Sequence, residues 1–169
     1  VFRIVLDPTK CDGCRTCEAV CACVNEGEAN PAKARIKVVR TVEEDILYSI
    51  PVFCMQCERA ACEEVCPRHA ISRGPNGVLS VDEEKCVGCR MCEIACPVGA
   101  VMVNVDRHVS TKCNQCEVLG GEPQCVKHCF TGALQFVPAD RVGVTKARAK
   151  SAAFLELQRR PGVVEEGMR

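Results

Sequence analysis

Apolar and polar positions alternate from the first residues, where Phe2-Arg3-Ile4-Val5-Leu6 reads as a strand. Residues 34–40 and 46–53 are also strand-like. They flank Glu43-Glu44-Asp45, which predicts a hairpin. Pro75-Asn76-Gly77 predicts a tight turn between 70–73 and 78–81, a second hairpin. Short strands are predicted at 101–105 and 134–137. A helical pattern emerges only near the end. Ala147, Phe154, Leu155 and Leu157 lie among Lys146, Arg148, Lys150, Arg159 and Arg160, which predicts a helix over 144–160 closed by Pro161-Gly162. That helix either docks a partner subunit or lies on its own domain, and the pattern leaves both open. The longest apolar stretch, Val98 to Val103, is too short to cross a bilayer. No basic segment followed by a long apolar one is present, so no secretory signal is expected.

The 169 residues suggest one domain or two small intimate ones. Lys plus Arg and Asp plus Glu balance at 22 each, which argues against a nucleic-acid protein that depends on net positive charge. Cysteine changes the picture: there are 17. They inflate the 47% hydrophobic content. Five Phe, one Tyr and no Trp leave a lean hydrocarbon core to offset the entropy of ordering. Something else must help to hold the fold.

Sixteen cysteines fall into four groups. The first is Cys11, Cys14, Cys17 and Cys21. The second is Cys54, Cys57, Cys62 and Cys66, followed by Pro67. The third is Cys86, Cys89, Cys92 and Cys96, followed by Pro97. The fourth is Cys113, Cys116, Cys125 and Cys129. Cys23 is left over and is expected to be a buried small apolar side chain. The third group matches the bacterial ferredoxin run of three cysteines at two-residue gaps, a fourth after three more residues, then Pro. Three thiolates on a tight loop can wrap three corners of an iron–sulfur cube. The fourth, on a short helical turn, points away and ligates the neighbouring cube.

Disulfide frameworks belong to short secreted chains with even cysteine counts, and here the count is odd and the cysteines are crowded. Structural zinc sites pair one C-x2-C knuckle with a distant partner, which the closely spaced triplets do not resemble. Catalytic alternatives lack their residues. No C-x3-C-x2-C run, Walker loop or dinucleotide fingerprint occurs, and three His with scattered Ser define no triad.

The groups sit in a repeated frame of strand, cysteine loop, short helix and strand. Three exits match: Cys66-Pro67-Arg68-His69-Ala70-Ile71, Cys96-Pro97-Val98-Gly99-Ala100-Val101 and Cys129-Phe130-Thr131-Gly132-Ala133-Leu134. The expected organisation is a split two-cluster unit at 1–24 and 107–138, a connecting hairpin at 25–53, an inserted two-cluster unit at 54–106 and a helical tail at 139–169. Pairing groups one with two and three with four is the alternative.

The four-group arrangement resembles the polyferredoxin-type electron-transfer subunits of molybdenum and tungsten oxidoreductases and related enzymes. The likeness runs from Phe2 to about Val137. Through Asn30-Pro31-Ala32-Lys33-Ala34-Arg35-Ile36 and its short connections, the chain looks most like the small subunit of tungsten aldehyde oxidoreductases. The resemblance implies an α+β fold of two interleaved bacterial-ferredoxin-like βαβ units and four 4Fe-4S clusters. Cluster A would take Cys11, Cys14, Cys17 and Cys129, and cluster B would take Cys113, Cys116, Cys125 and Cys21. Cluster C would take Cys54, Cys57, Cys62 and Cys96, and cluster D would take Cys86, Cys89, Cys92 and Cys66. Cys21 and Cys129 lack the following Pro, which is not itself a ligand.

Four thiolates per cluster saturate every iron, so the expected role is electron transfer without catalysis. The partner would be a catalytic oxidoreductase subunit, with a further donor or acceptor subunit conceivable. The runner-up is a free-standing polyferredoxin that shuttles between enzymes. Assembled clusters suggest a reducing, cytoplasmic setting. Lys10, Lys85 and Lys112 each precede a first cysteine and could offset thiolate charge, although a solvated Lys is the ordinary expectation. His69, His108 and His128 are candidates to tune a cluster, although a surface position is the ordinary expectation. Met55, Met91 and Met102 are expected to pad cluster pockets. With so lean a core, cluster assembly should supply much of the folding energy. The metal-free chain is expected to show little secondary structure by circular dichroism and no cooperative melt. A cooperatively melting metal-free chain would contradict this.

Overall fold

The cysteine loops leave only short runs of chain between them, and these make two-stranded ladders. The structure, a computed structural model, describes residues 1–43, 45–120 and 122–159. In chain order the elements are β1 (Phe2–Leu6), α1 (Thr16–Glu26), β2 (Ile36–Glu43), β3 (Ile46–Phe53), α2 (Ala61–Glu64), β4 (Ile71–Arg73), β5 (Leu79–Val81), α3 (Met91–Ala95), β6 (Val101–Asn104), β7 (Val109–Lys112), α4 (Gln124–Lys127), β8 (Leu134–Pro138) and α5 (Val142–Arg159). This is a mixed α and β architecture of short strands and mostly short helices.

All four ladders are antiparallel pairs. β1 pairs with β8, from Phe2 opposite Pro138 to Leu6 opposite Leu134, so the first and last strands close on each other. The Phe2 and Phe136 rings stack across this ladder at 5.1 Å. β2 and β3 form the expected hairpin, whose turn includes Asp45 in the left-handed region. β4 and β5 form the Pro-Asn-Gly hairpin. Its turn is closed by Gly77 N donating to Gly74 O at 2.9 Å and Val78 N donating to Asn76 Oδ1 at 3.1 Å.

β6 pairs with β7, a strand that the sequence pattern did not suggest. Its residues Val109-Ser110-Thr111-Lys112 are all buried, so no alternation betrays it. The expected boundary between 106 and 107 falls in the turn of this hairpin, where Asp106 N and Arg107 N both donate to Asn104 Oδ1.

α1 packs on α4, and α2 packs on α3. Two cores result. One gathers Ile4, Ala22, Ala34, Ile36, Phe53 and Leu134 around cysteines of groups one and four. The other gathers Ala60, Ile71, Leu79 and Val101 around cysteines of groups two and three. α1 ends on Gly27, whose left-handed conformation lets its N–H cap Cys23 O at 3.0 Å. Along α1, Cys17, Glu18, Cys21 and Ala22 face inward. Cys23 is exposed, contrary to expectation, because two residues on from Cys21 carries it about 200° around the helix. α5 packs against β1 on its own domain. The expected stop at Arg160-Pro161-Gly162 lies outside the described residues.

Glu18 is 1% exposed. One carboxylate oxygen accepts from Arg15 Nε at 2.6 Å, and the other accepts from Val38 N at 2.6 Å, which ties α1 to β2. Glu18→Ala strands the Val38 N–H. It should destabilise the loaded protein by about 2 kcal/mol, the scale of a charge-assisted hydrogen bond. Glu18→Gln, which keeps the acceptor, should lose less. Anaerobic thermal melts of the two variants check this.

Candidate metal centres

Two loop designs carry the cysteines. In groups one and three a glycine and an arginine flank the second cysteine, and both are left-handed: Gly13 (φ 75°) with Arg15 (φ 62°), and Gly88 (φ 65°) with Arg90 (φ 64°). In groups two and four a left-handed glutamine precedes the second cysteine, Gln56 (φ 53°) and Gln115 (φ 57°), and in group four Cys116 itself is also left-handed (φ 54°). Such residues fold the chain tightly enough for successive thiols to share one concavity. The matching exits also share one geometry. His69, Gly99 and Gly132 are left-handed, and each donates its N–H to the carbonyl of Cys66, Cys96 or Cys129. Each is followed by a buried alanine, Ala70, Ala100 or Ala133.

The structure brings distant cysteines together. Cys66 of group two lines one small cavity with Cys86, Cys89 and Cys92 of group three. Cys21 of group one lines another with Cys113, Cys116 and Cys125 of group four. Cys17 shares a core with Cys21 and Cys125, and Cys129 packs against it. Cys11 and Cys14 lie close enough to Cys17 for their charges to raise its pKa. Cys62 and Cys92 share the second core, with Cys57 and Cys96 packed against them, and Cys54 and Cys96 act electrostatically on Cys62. Among the described residues no three Cys, His, Asp or Glu groups converge closely enough to hold a single metal ion. The thiols ring wider spaces.

The donor chemistry suits an inorganic cluster. Backbone N–H groups donate to Sγ of six cysteines: Arg35 to Cys21 (3.3 Å), Gln56 to Cys54 (3.5 Å), Ala70 to Cys66 (3.3 Å), Ala100 to Cys96 (3.3 Å), Ser110 to Cys86 (3.2 Å) and Gln115 to Cys113 (3.4 Å). Ser110 Oγ lies 2.9 Å from Cys92 Sγ. These donors favour thiolate sulfur. Burial opposes them. It pushes the Cys17 and Cys113 thiols up to about 12 and raises those of Cys125, Cys21, Cys62 and Cys92. Metal binding at such thiols must therefore expel protons.

Neighbouring residues meet the ordinary expectation in some cases and depart from it in others. His69, His108 and His128 are all exposed, and none bonds to a cysteine sulfur. Met55 and Met91 are largely exposed, although Met91 still borders the Cys66 cavity. Lys10 and Lys85 are solvated and pair with Asp7 (3.3 Å) and Asp82 (2.8 Å). Lys112 is the exception: it is 2% exposed. Its Nζ donates to Leu79 O at 2.6 Å and Cys113 O at 3.3 Å. Sequence reasoning missed Gln56 and Gln115. Gln115 Nε2 donates to Phe2 O at 3.2 Å, while Gln56 Nε2 donates to Cys113 O at 2.7 Å and its Oε1 accepts from Leu79 N at 2.7 Å. The repeated Cys-x-Gln-Cys at 54–57 and 113–116 was the available signal.

A methyl group on Gly88 would stand 2.2 Å from His108 O, a backbone atom, whereas one on Gly99 meets nothing within 4 Å. Both glycines are left-handed. Gly99→Ala should therefore cost about 1–2 kcal/mol of conformational strain. Gly88→Ala should cost distinctly more and release iron from the group-three loop. Melting temperature and iron content of the two variants, compared with Cys23→Ala as an exposed control, check the difference.

Comparison with known proteins agrees with this chemistry. Residues 45–139 match the family model for the 4Fe-4S dicluster domain. The chain is 38% identical over 148 residues to YsaA of Escherichia coli (strain K12), covering 82% of this chain and 91% of that one. It is 34% identical over 174 residues to the electron transport protein HydN of the same organism, covering 90% and 97%. It is 33% identical over 156 residues to a subunit of the anaerobic dimethyl sulfoxide reductase of that organism, covering 83% and 75%. The four cysteine loops and their buried, hydrogen-bonded thiols are thus those of an iron–sulfur protein, and the chain belongs to the 4Fe-4S dicluster family.

Proposed function

We propose that the chain is a non-catalytic electron-transfer subunit of an oxidoreductase complex and holds four 4Fe-4S clusters. The ligand sets are Cys11, Cys14, Cys17 and Cys129; Cys113, Cys116, Cys125 and Cys21; Cys54, Cys57, Cys62 and Cys96; and Cys86, Cys89, Cys92 and Cys66. Bound clusters of this type supply one-electron oxidation and reduction. The observation that carries the reading is the division of cysteines between two cores, groups one and four in one and groups two and three in the other. The cavities lined by Cys21 with group four and by Cys66 with group three support the same division. Pairing groups one with two has no comparable support. The same division favours two interleaved ferredoxin-like units, with β1 and β8 closing the outer one.

The protein's own residues do three things in this role. Sixteen thiols saturate the iron and leave it no site for substrate. Backbone N–H groups stabilise thiolate sulfur. Buried Cys17, Cys21, Cys62, Cys92, Cys116 and Cys125 exclude water from the interior, while Cys14 and Cys89 reach the surface in groups one and three. A catalytic partner follows from the kinship with a dimethyl sulfoxide reductase subunit. A molybdenum or tungsten oxidoreductase, the latter on the Asn30–Ile36 likeness alone, is the enzyme class we favour. No described helix is long and apolar enough to cross a membrane. A reducing, cytoplasmic setting suits the sixteen grouped thiols.

Oxygen-free purified protein should contain about 16 irons per chain with matching sulfide. Under the interleaved pairing, Cys21→Ala and Cys116→Ala should abolish the same paramagnetic resonance component. Under sequential pairing, Cys21→Ala would instead share its loss with Cys57→Ala. Co-purification of a large subunit bearing its own cofactor supports a complex. A brown monomer alone would favour a free shuttle.

A further inference from the structure

The ligand sets leave unexplained one buried polar cluster at the boundary between the two cores. Leu79 N donates to Gln56 Oε1 at 2.7 Å, and Gln56 Nε2 donates to Cys113 O at 2.7 Å. Lys112 Nζ donates to the same Cys113 carbonyl at 3.3 Å and to Leu79 O at 2.6 Å. The four groups form a closed ring. Gln56 lies between Cys54 and Cys57, and Lys112 immediately precedes Cys113. Leu79 belongs to the second core, on β5, which packs beside β7. The ring therefore stands where the group-two loop meets the group-four loop.

A lysine this deeply buried is uncommon and costly to desolvate. Two neutral carbonyls accept from it, and among the described residues no carboxylate forms an ion pair with it. Its charge is thus uncompensated by protein, and it sits directly on the Cys113 carbonyl of group four and on Leu79, which shares the second core with Cys62 of group two. A scaffold alone would not need that charge, since a neutral donor can bridge two carbonyls, as Gln56 does for one.

We propose that Lys112 is a potential-setting residue, a fixed positive charge at the junction that favours reduction of the two clusters held by the Cys54–Cys57 and Cys113–Cys116 loops. This rests on the ligand sets proposed above. On reduction each cluster takes up one electron from a low-potential one-electron donor, its charge becomes one unit more negative, and no bond forms or breaks. A nearby cation stabilises the more negative state and raises the potential. No residue of groups one and three belongs to the ring, and the two clusters those groups mainly hold feel it less. The two inner sites are thereby held easier to reduce than the same cages would be with a neutral residue at the junction.

The test is a dithionite-poised redox titration of the whole loaded protein, followed by paramagnetic resonance. Lys112→Met keeps the length of the side chain and removes the charge. It should lower the reduction equilibrium constant of two components about tenfold, a shift of about 59 mV for one electron, and leave the other two in place. Lys112→Arg should restore them. Gln56→Met breaks the ring but keeps the charge, and should move the potentials far less. Lys10→Met and Lys85→Met, at solvated sites, should move nothing. Unchanged potentials in Lys112→Met overturn the proposal. So does an equal shift in Gln56→Met, which makes the ring a scaffold only. If Lys112→Met fails to load iron, Lys112→Gln replaces it. Failure of both, with Gln56→Met intact, also assigns a purely structural role and overturns the proposal. The wild-type iron content and number of redox components test the ligand sets separately.

Discussion

The constraint on which everything else depends is that thiols from distant segments meet: Cys66 lines a cavity with group three, and Cys21 lines one with group four. In the ligand sets proposed above, three cysteines come from one loop and the fourth from a distant segment. That demand explains the topology. β1 and β8 pair although the chain between them holds the other six strands, and the core they close holds Cys21 beside Cys125 with Cys129 packed against it. α1 packs on α4 and α2 on α3, and these helices carry Cys17 and Cys21, Cys125, Cys62 and Cys92 into the two cores. Strands of three to eight residues are enough, since they serve to hold loops in register rather than to build a large core.

The cysteine-based features were legible because they are local. Spacing and the exits ending in Ala70, Ala100 and Ala133 repeat in the sequence, and the three exits share one backbone geometry. Hairpins marked by turn residues were legible for the same reason. β7 was not, because Ser110, Thr111 and Lys112 are polar residues buried by what they bond to, and a hydrophobic pattern cannot register that. Glu18 and Gln56 were hidden in the same way. Their partners, Val38 and Cys113, lie 20 and 57 residues away. Cys23 misled because cysteine is usually buried, whereas its position on α1 turns it outward. The wrong expectation for Lys112 follows from treating three equivalent lysines alike. Lys10 and Lys85 have an aspartate three residues upstream, and Lys112 has Val109 there instead.

Charge is managed locally rather than by the chain as a whole. The net formal charge is zero, and the exposed lysines beside groups one and three are spent on nearby aspartates. Compensation for thiolate sulfur comes instead from backbone N–H groups, at distances from 3.2 to 3.5 Å. Arg35 adds a guanidinium beside the Cys21 cavity, with a buried Nε that has no protein partner. Amide dipoles of this kind are fixed by the fold and do not depend on salt, so the electrostatics of the cages are set by loop geometry.

That arrangement gives the two halves different electrical surroundings from one repeated motif. The group-two and group-four loops share the Cys-x-Gln-Cys sequence, yet Gln115 reaches out to β1 while Gln56 reaches across to Cys113. One glutamine anchors a loop to the outer ladder, and the other joins the two cores. Only at the second does a buried ammonium complete the hydrogen bonding. A duplicated loop therefore does two jobs because its neighbours differ: a left-handed glutamine recurs in both, and what its side chain reaches decides whether the loop closes the outside or bridges the middle.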